Sequence, residues 1–131
     1  MKICVTSQGD SLESEIDPRF GRCAYFMVVD TDTMEFEAIV NGSAGASGGA
    51  GIQAAQTVAN LGVEVVLTGN VGPNAFSTLS AAGIDPIVGA SGTVRQTVEK
   101  FKSGEMGDPT TRPTSAPHSG MGGTGGGRGR R

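Results

Sequence analysis

Residues 34–61 read MEFEAIV, then NGSAGASGGAG, then IQAAQTVANL, and the hydrophobic period changes across them. Within 34–40, Met34, Phe36 and Ala38 alternate with Glu35 and Glu37, the two-residue period of a half-exposed strand. Acidic side chains on the outer face discourage pairing with another chain, as an edge strand requires. Within 52–61, Ile52, Ala55, Val58 or Ala59, and Leu61 recur at helical spacing, and Gly62 supplies the stop. Residues 41–51 form the glycine-rich loop between them, and the apolar run 63–68 (VEVVLT) that follows reads as a buried strand.

Towards the N-terminus, 2–7 (KICVTS) alternates and carries β-branched residues, so it predicts a strand. Residues 24–30 (AYFMVVD) are continuously apolar up to Asp30, as a central strand is. Between them, 8–23 is a long polar loop with Gly9, Asp10, Asp17-Pro18 and Gly21. Towards the C-terminus, Gly69-Asn70-Val71-Gly72 is a loop, Pro73 suits a first helical turn, and Gly83 ends that helix. Residues 84–88 form a short strand whose Pro86 marks a sheet edge. Thr93 and Gln96 fit a capping box, opening a last helix with Val94, Val98 and Phe101 on one face.

The order β-β-β-α-β-α-β-α defines an α/β fold. The first three strands are joined by hairpin-like connections and are antiparallel; the later units are right-handed parallel crossovers. The expected sheet is mixed, five-stranded and covered by helices. Loops 8–23, 41–51, 69–74 and 89–93 then gather at one end, where open α/β sheets bind ligands.

Glycine is the compositional outlier at 22 residues, nine of them in 104–131 beside Pro109, Pro113 and Pro117. That stretch has little apolar beyond Met106 and Met121, too little to offset its ordering entropy. The expectation is a folded domain over 1–103 and a disordered Gly/Pro/Arg-rich tail over 104–131. The domain has six Lys/Arg against eleven Asp/Glu, a net of −5; the tail has four Arg against two acids, a net of +2. An acidic domain is a poor partner for nucleic acid. No apolar stretch approaches the ~20 residues of a membrane span, and no leader pattern opens the chain, so the expectation is a cytoplasmic protein with no membrane partner. Cys4 and Cys23 are too few and too far apart for a CxxC or zinc knuckle, and read as free thiols.

Three helices begin at the ligand edge after glycine-bearing loops, and helix N-termini favour anions. Arg19 and Arg22, flanking Phe20-Gly21, add fixed positive charge. The combination suits a bulky, delocalised anion. Each part also has a plainer reading: tight connections for the glycines, pairing of Arg22 with Asp17 or Glu15, a core plug for Phe20, and a small buried hydrophobe for Cys4. Cys23, beside Arg22, is the candidate thiolate ligand. Catalysis finds little support. The single histidine, His118, lies in the tail; there is no nucleophile elbow and no Walker A lysine. Residues 49–54 (GAGIQA) match G-x-G-x-x-A but do not follow the first strand. Asp30 falls at the opposite end of the sheet from Asp10 and Asp17, so those carboxylates do not converge.

The segments 2–7, 16–23 (IDPRFGRC), Tyr25-Phe26, 51–55 (GIQAA) and 67–76 (LTGNVGPNAF), in this order, resemble the dinitrogenase iron–molybdenum cofactor biosynthesis family. That family includes nitrogenase-cofactor carriers and the orange protein of sulfate reducers, and the resemblance covers 1–103. It implies a ribonuclease-H-like three-layer α/β/α fold and a noncatalytic protein that binds or carries an anionic metal–sulfide cluster. The cluster would be of molybdenum–iron–sulfur or molybdenum–copper–sulfide type, and the partners cluster-assembly or acceptor proteins. Arg19 stands where nitrogenase-associated carriers have a histidine, which points to electrostatic holding rather than imidazole ligation. The expected site takes charge from Arg19 and Arg22, an apolar wall from Phe20, and N–H groups from Gly48, Gly49, Gly51, Gly72 and Asn74. Two alternatives use the same molecule differently: a sensor or enzyme with a phosphate or nucleotide on the same edge, and an adaptor whose Gly/Arg tail recruits a partner.

Overall fold

The computed structural model describes residues 1–43, 45 and 48–114. The later part of the expected tail, with His118, lies outside the described residues. Strand β1 (Lys2–Ser7) is buried from Ile3 to Ser7 because both its edges and both its faces are covered. It pairs antiparallel with β2 (Tyr25–Asp30) and parallel with β4 (Val65–Leu67). The outer strands are β3 (Phe36–Val40), antiparallel to β2, and β5 (Asp85–Ile87), parallel to β4. The sheet order is β3-β2-β1-β4-β5, the expected mixed five-stranded arrangement with 34–40 and 84–88 at its edges.

Alternation along β1 divides the core. Cys4 joins Phe26, Val28 and Val66 under α1 (Ala50–Ala59) and α2 (Pro73–Ala81). Ile3 and Val5 join Met27, Val29 and Leu67 under α3 (Val94–Lys102), with Leu12 and Ile16 of the first long loop. Helices therefore cover both faces, giving three layers. Helix α1 buries Ala50, Ala54, Ala55 and Val58 and leaves Ile52 half-buried, as is Leu61 just beyond its end. The buried stripe is rotated from the expected one because the small face lets α1 lie close to α2.

Strand β3 begins later than its alternation predicts. Met34 adopts a left-handed φ of 62° and donates its N–H to the Asp30 carbonyl at 2.8 Å, so it closes the hairpin instead of extending the strand. Its side chain still packs with Ala38 on the α3 side, while Ile39 packs on the other. Phe36 stays 44% exposed, as an edge strand has a neighbour on one side only. The capping box forms: Gln96 N–H donates to Thr93 Oγ1 at 3.1 Å, and Thr93 N–H to Gln96 Oε1 at 2.9 Å.

Beyond α3 the chain turns back on the domain. Thr110 N–H donates to the Pro86 carbonyl, and Thr114 N–H to the Val71 carbonyl, both at 2.8 Å. Val71 N–H returns a bond to Thr114 Oγ1 at 2.9 Å. Composition assigns this stretch to the tail because it has few apolar groups; hydrogen bonds to β5 and the β4–α2 loop hold it instead. No helix among the described residues is long and apolar enough to cross a membrane.

The first loop reaches the β4–α2 loop only because residue 69 has no side chain. A Cβ on Gly69 would lie 2.6 Å from Pro18 Cα, whereas one on Gly48 would meet nothing within 4 Å. Gly69→Ala is expected to cost about 1–3 kcal/mol in urea unfolding, the range of overpacking strain, and Gly48→Ala to be close to neutral. Equal losses from the two variants would contradict this packing.

Candidate functional site

Strands β1, β3, β4 and β5 point the same way, so their C-terminal ends share one edge of the sheet. The first loop is tied across that edge. Asp17 N–H donates to the Thr6 carbonyl at 3.0 Å, and Thr6 Oγ1 donates to the Asp17 carbonyl at 2.6 Å. The Thr68 hydroxyl lies 2.8 Å from that of Thr6, and Asn70 N–H reaches the Pro18 carbonyl at 2.8 Å. Residues 18–22 are thereby laid over the ends of β1 and β4 and end in a short 3-10 turn, Phe20–Arg22. Asn41 pins this turn to the glycine-rich loop: its Nδ2 donates to the Gly21 and Cys23 carbonyls at 3.1 and 2.9 Å. Its Oδ1 accepts from Ser43 N–H and Oγ.

These segments enclose a cavity of about 510 Å³, lined by residues 18–22, 49–51, 70 and 72–75. That volume lies within the ~300–1,000 Å³ of ligand pockets. Helices α1 and α2 both begin at its wall, and neither has a side-chain cap, since their N-cap residues are Gly49 and Gly72. The first ladder bonds are Gln53 N–H to Gly49 O and Phe76 N–H to Gly72 O. The N–H groups of Ala50, Gly51, Ile52, Asn74 and Ala75 therefore have no partner within the helix ladders, and Pro73 has no N–H to place. Both helix ends bring partial positive charge to the same space. Helix α3, by contrast, is closed by Thr93 and Gln96.

Two arginines line the cavity. Arg19 has a side chain 68% exposed and pairs with the buried Asp17 through Nε–Oδ1 at 3.2 Å and Nη2–Oδ2 at 3.3 Å. The hydrogen bond and then the charge of Asp17 raise the guanidinium above its already high ordinary pKa, so Arg19 is permanently charged. The sequence offered Asp17 to Arg22; the carboxylate engages Arg19, two residues away, because the backbone bends at Pro18. Arg22 is exposed at the end of the 3-10 turn.

Of the expected site residues, Arg19, Phe20, Arg22, Gly49, Gly51, Gly72 and Asn74 come together around the cavity. Gly48 and Cys23 lie outside its lining. Phe20 is 2% exposed, its ring centroid 6.0 Å from that of Phe26, so it floors the cavity from within the core. Cys23 is fully buried, and its Sγ donates to the Phe20 carbonyl at 3.3 Å. Burial, then the charge of Asp17, push this thiol up to about 12. Burial likewise raises Cys4 well above its ordinary value. Both cysteines sit in the core as thiols. Among the described residues no group of three or more His, Cys, Asp or Glu is placed to hold a metal ion. Sequence reasoning missed Asn41, Asn70 and Pro18. Asn70, directly between a strand end and Gly72, was the most accessible signal.

Fold and cavity define a class, a small mixed-sheet α/β protein with an arginine-bearing cavity at the C-terminal edge of its strands. The chain belongs to the dinitrogenase iron–molybdenum cofactor family, whose model matches residues 1–104. It is 30% identical over 96 residues to an uncharacterized protein of Methanocaldococcus jannaschii, covering 71% of this chain and 81% of that one. Its structure is similar to the apo form of the orange protein from Desulfovibrio gigas, with 46% identity, a TM-score of 0.83 and coverage of 87% and 96%. It is also similar to a Thermotoga protein of the DUF35 family named as a NifB candidate, with 36% identity, a TM-score of 0.70 and coverage of 79% and 89%.

The buried thiol makes a pH prediction. In the unfolded chain Cys23 titrates near 9.0, and in the folded one near 12. Below the first value both states keep the proton and its contribution to stability is fully present; above it the unfolded state ionises first and stability falls. Cys23→Ala should flatten part of the stability loss above pH 9 in urea melts, and neither thiol should react with a disulfide reagent before unfolding. Rapid labelling of the native protein, or an unchanged alkaline slope, would contradict this burial.

Proposed function

We propose that the cavity binds a bulky anionic metal–sulfide cluster, of molybdenum–iron–sulfur or molybdenum–copper–sulfide type, and carries it without catalysing a reaction on it. The observation that carries this reading is the opening of two uncapped helix N-termini into the same cavity as two arginines. A cluster with sulfide on its surface spreads negative charge over many acceptor atoms. Backbone N–H groups and guanidinium donors match such a surface without forming metal bonds. Membership of a cofactor family supports the same ligand class. The proposed contacts are Arg19, Arg22, the floor at Phe20, and the N–H groups of Gly49, Ala50, Gly51, Gly72, Asn74 and Ala75, all in the lining. Cys23 is left out because its thiol is in the core, and Gly48 because it lies outside the lining. A carrier of this kind works in the cytoplasm between cluster-assembly and acceptor proteins.

The test is anaerobic reconstitution with tetrathiomolybdate, with and without copper or iron, followed by desalting and visible spectroscopy. The native chain should retain metal–sulfide bands, and the Arg19→Ala/Arg22→Ala variant should lose them with unchanged circular dichroism. Equal retention by the variant would overturn the site. A colourless native protein that a nucleotide stabilises against heat would move the function to a phosphate ligand on the same edge.

A further inference from the structure

Asp17 is a buried carboxylate, 4% exposed, directly beside a cavity proposed to take an anion. By charge alone it works against such a ligand, since it offsets the positive potential of Arg19. Its geometry has a different logic. Oδ1 accepts the Arg19 backbone N–H at 3.0 Å and Nε at 3.2 Å, and Oδ2 accepts Nη2 at 3.3 Å. One carboxylate thus holds both the main chain and the planar fork of the same arginine.

We infer that Asp17 is the positioning residue for Arg19, fixing the direction in which its guanidinium meets the anion; the inference rests on the cavity being an anion site. An arginine side chain 68% exposed would otherwise populate many rotamers. A two-point carboxylate contact fixes the plane of the guanidinium. Of five N–H donors, one on Nε and one on Nη2 face Asp17, and the remaining three are left for a ligand. Asp17 is itself rigid, because its N–H and carbonyl are both bonded to Thr6. Those are backbone bonds on residue 17, so they survive a change of its side chain. The cavity therefore gains a directed donor edge from Arg19.

The two logics predict opposite signs. Removing the charge of Asp17 tightens anion binding if only potential matters, and weakens it if orientation matters. The experiment is an anaerobic titration of the full chain with tetrathiomolybdate, followed by visible absorption, with thermal melts of every variant. Asp17→Asn is expected to bind about tenfold more weakly than the native chain, on the order of one charged hydrogen bond. Asp17→Glu should recover part of the loss. In an Arg19→Ala background Asp17→Asn should cause no further loss, because its effect runs through Arg19. Arg19→Lys, which keeps the charge and loses the fork, should weaken binding to a similar degree and serves if Asp17→Asn does not fold.

Native-like or tighter binding by Asp17→Asn or by Arg19→Lys would overturn the inference. So would an undiminished effect of Asp17→Asn in the Arg19→Ala background. A native chain that does not bind the probe would instead overturn the anion-site reading beneath it.

Discussion

Backbone lies against backbone around this cavity, and a glycine sits at each close approach. A Cβ on Gly21 would lie 3.0 Å from the N and Cα of Gly51, and one on Gly69 would lie 2.6 Å from Pro18 Cα. One on Gly51 would already touch the Cβ of Ala75 at 3.4 Å. These contacts bring the first loop, α1 and α2 to one point at the strand ends. A side chain at either of the two tighter positions would push these segments apart and open the cavity wall. The sheet supplies the platform, but the absence of side chains at a few positions sets the dimensions of the site.

Two further glycines shape the electrostatics. Gly49 and Gly72 occupy N-cap positions where Ser, Thr, Asp or Asn would satisfy the first N–H groups of each helix. Helix α3 has such a residue in Thr93, and its start is closed. The two helices that begin at the cavity lack one, so their amide dipoles face the cavity rather than a cap. Arg22 and the Asp17-bound Arg19, on the first loop, line the same cavity. Positive potential thus comes from main chain held rigidly by packing together with the two arginines, which suits a large anion.

Topology was legible because each strand carried a simple signal. The alternation of Glu35 and Glu37 marked an edge, Pro86 marked the other, and the continuous apolar run before Asp30 marked an inner strand. The capping box at Thr93 was local chemistry and could be read directly. The site was legible as a convergence of loops, not as contacts. Whether Asp17 takes Arg19 or Arg22 depends on the bend at Pro18, which spacing does not specify. Cys23 looked reactive beside Arg22 because sequence adjacency says nothing of direction; its thiol turns inward while the arginine turns out. Residues 110–114 were read as tail because composition records apolar content and not backbone hydrogen bonds.

The central claim is that the open starts of α1 and α2 hold the anion. The most direct measurement is an anaerobic amide nitrogen–proton NMR titration of the full chain with tetrathiomolybdate. The largest shifts are expected at the amides of Ala50, Gly51, Ile52, Asn74 and Ala75, together with Arg19 to Arg22. Shifts concentrated at the capped start of α3 or on the sheet edges, with those amides unmoved, would contradict the claim.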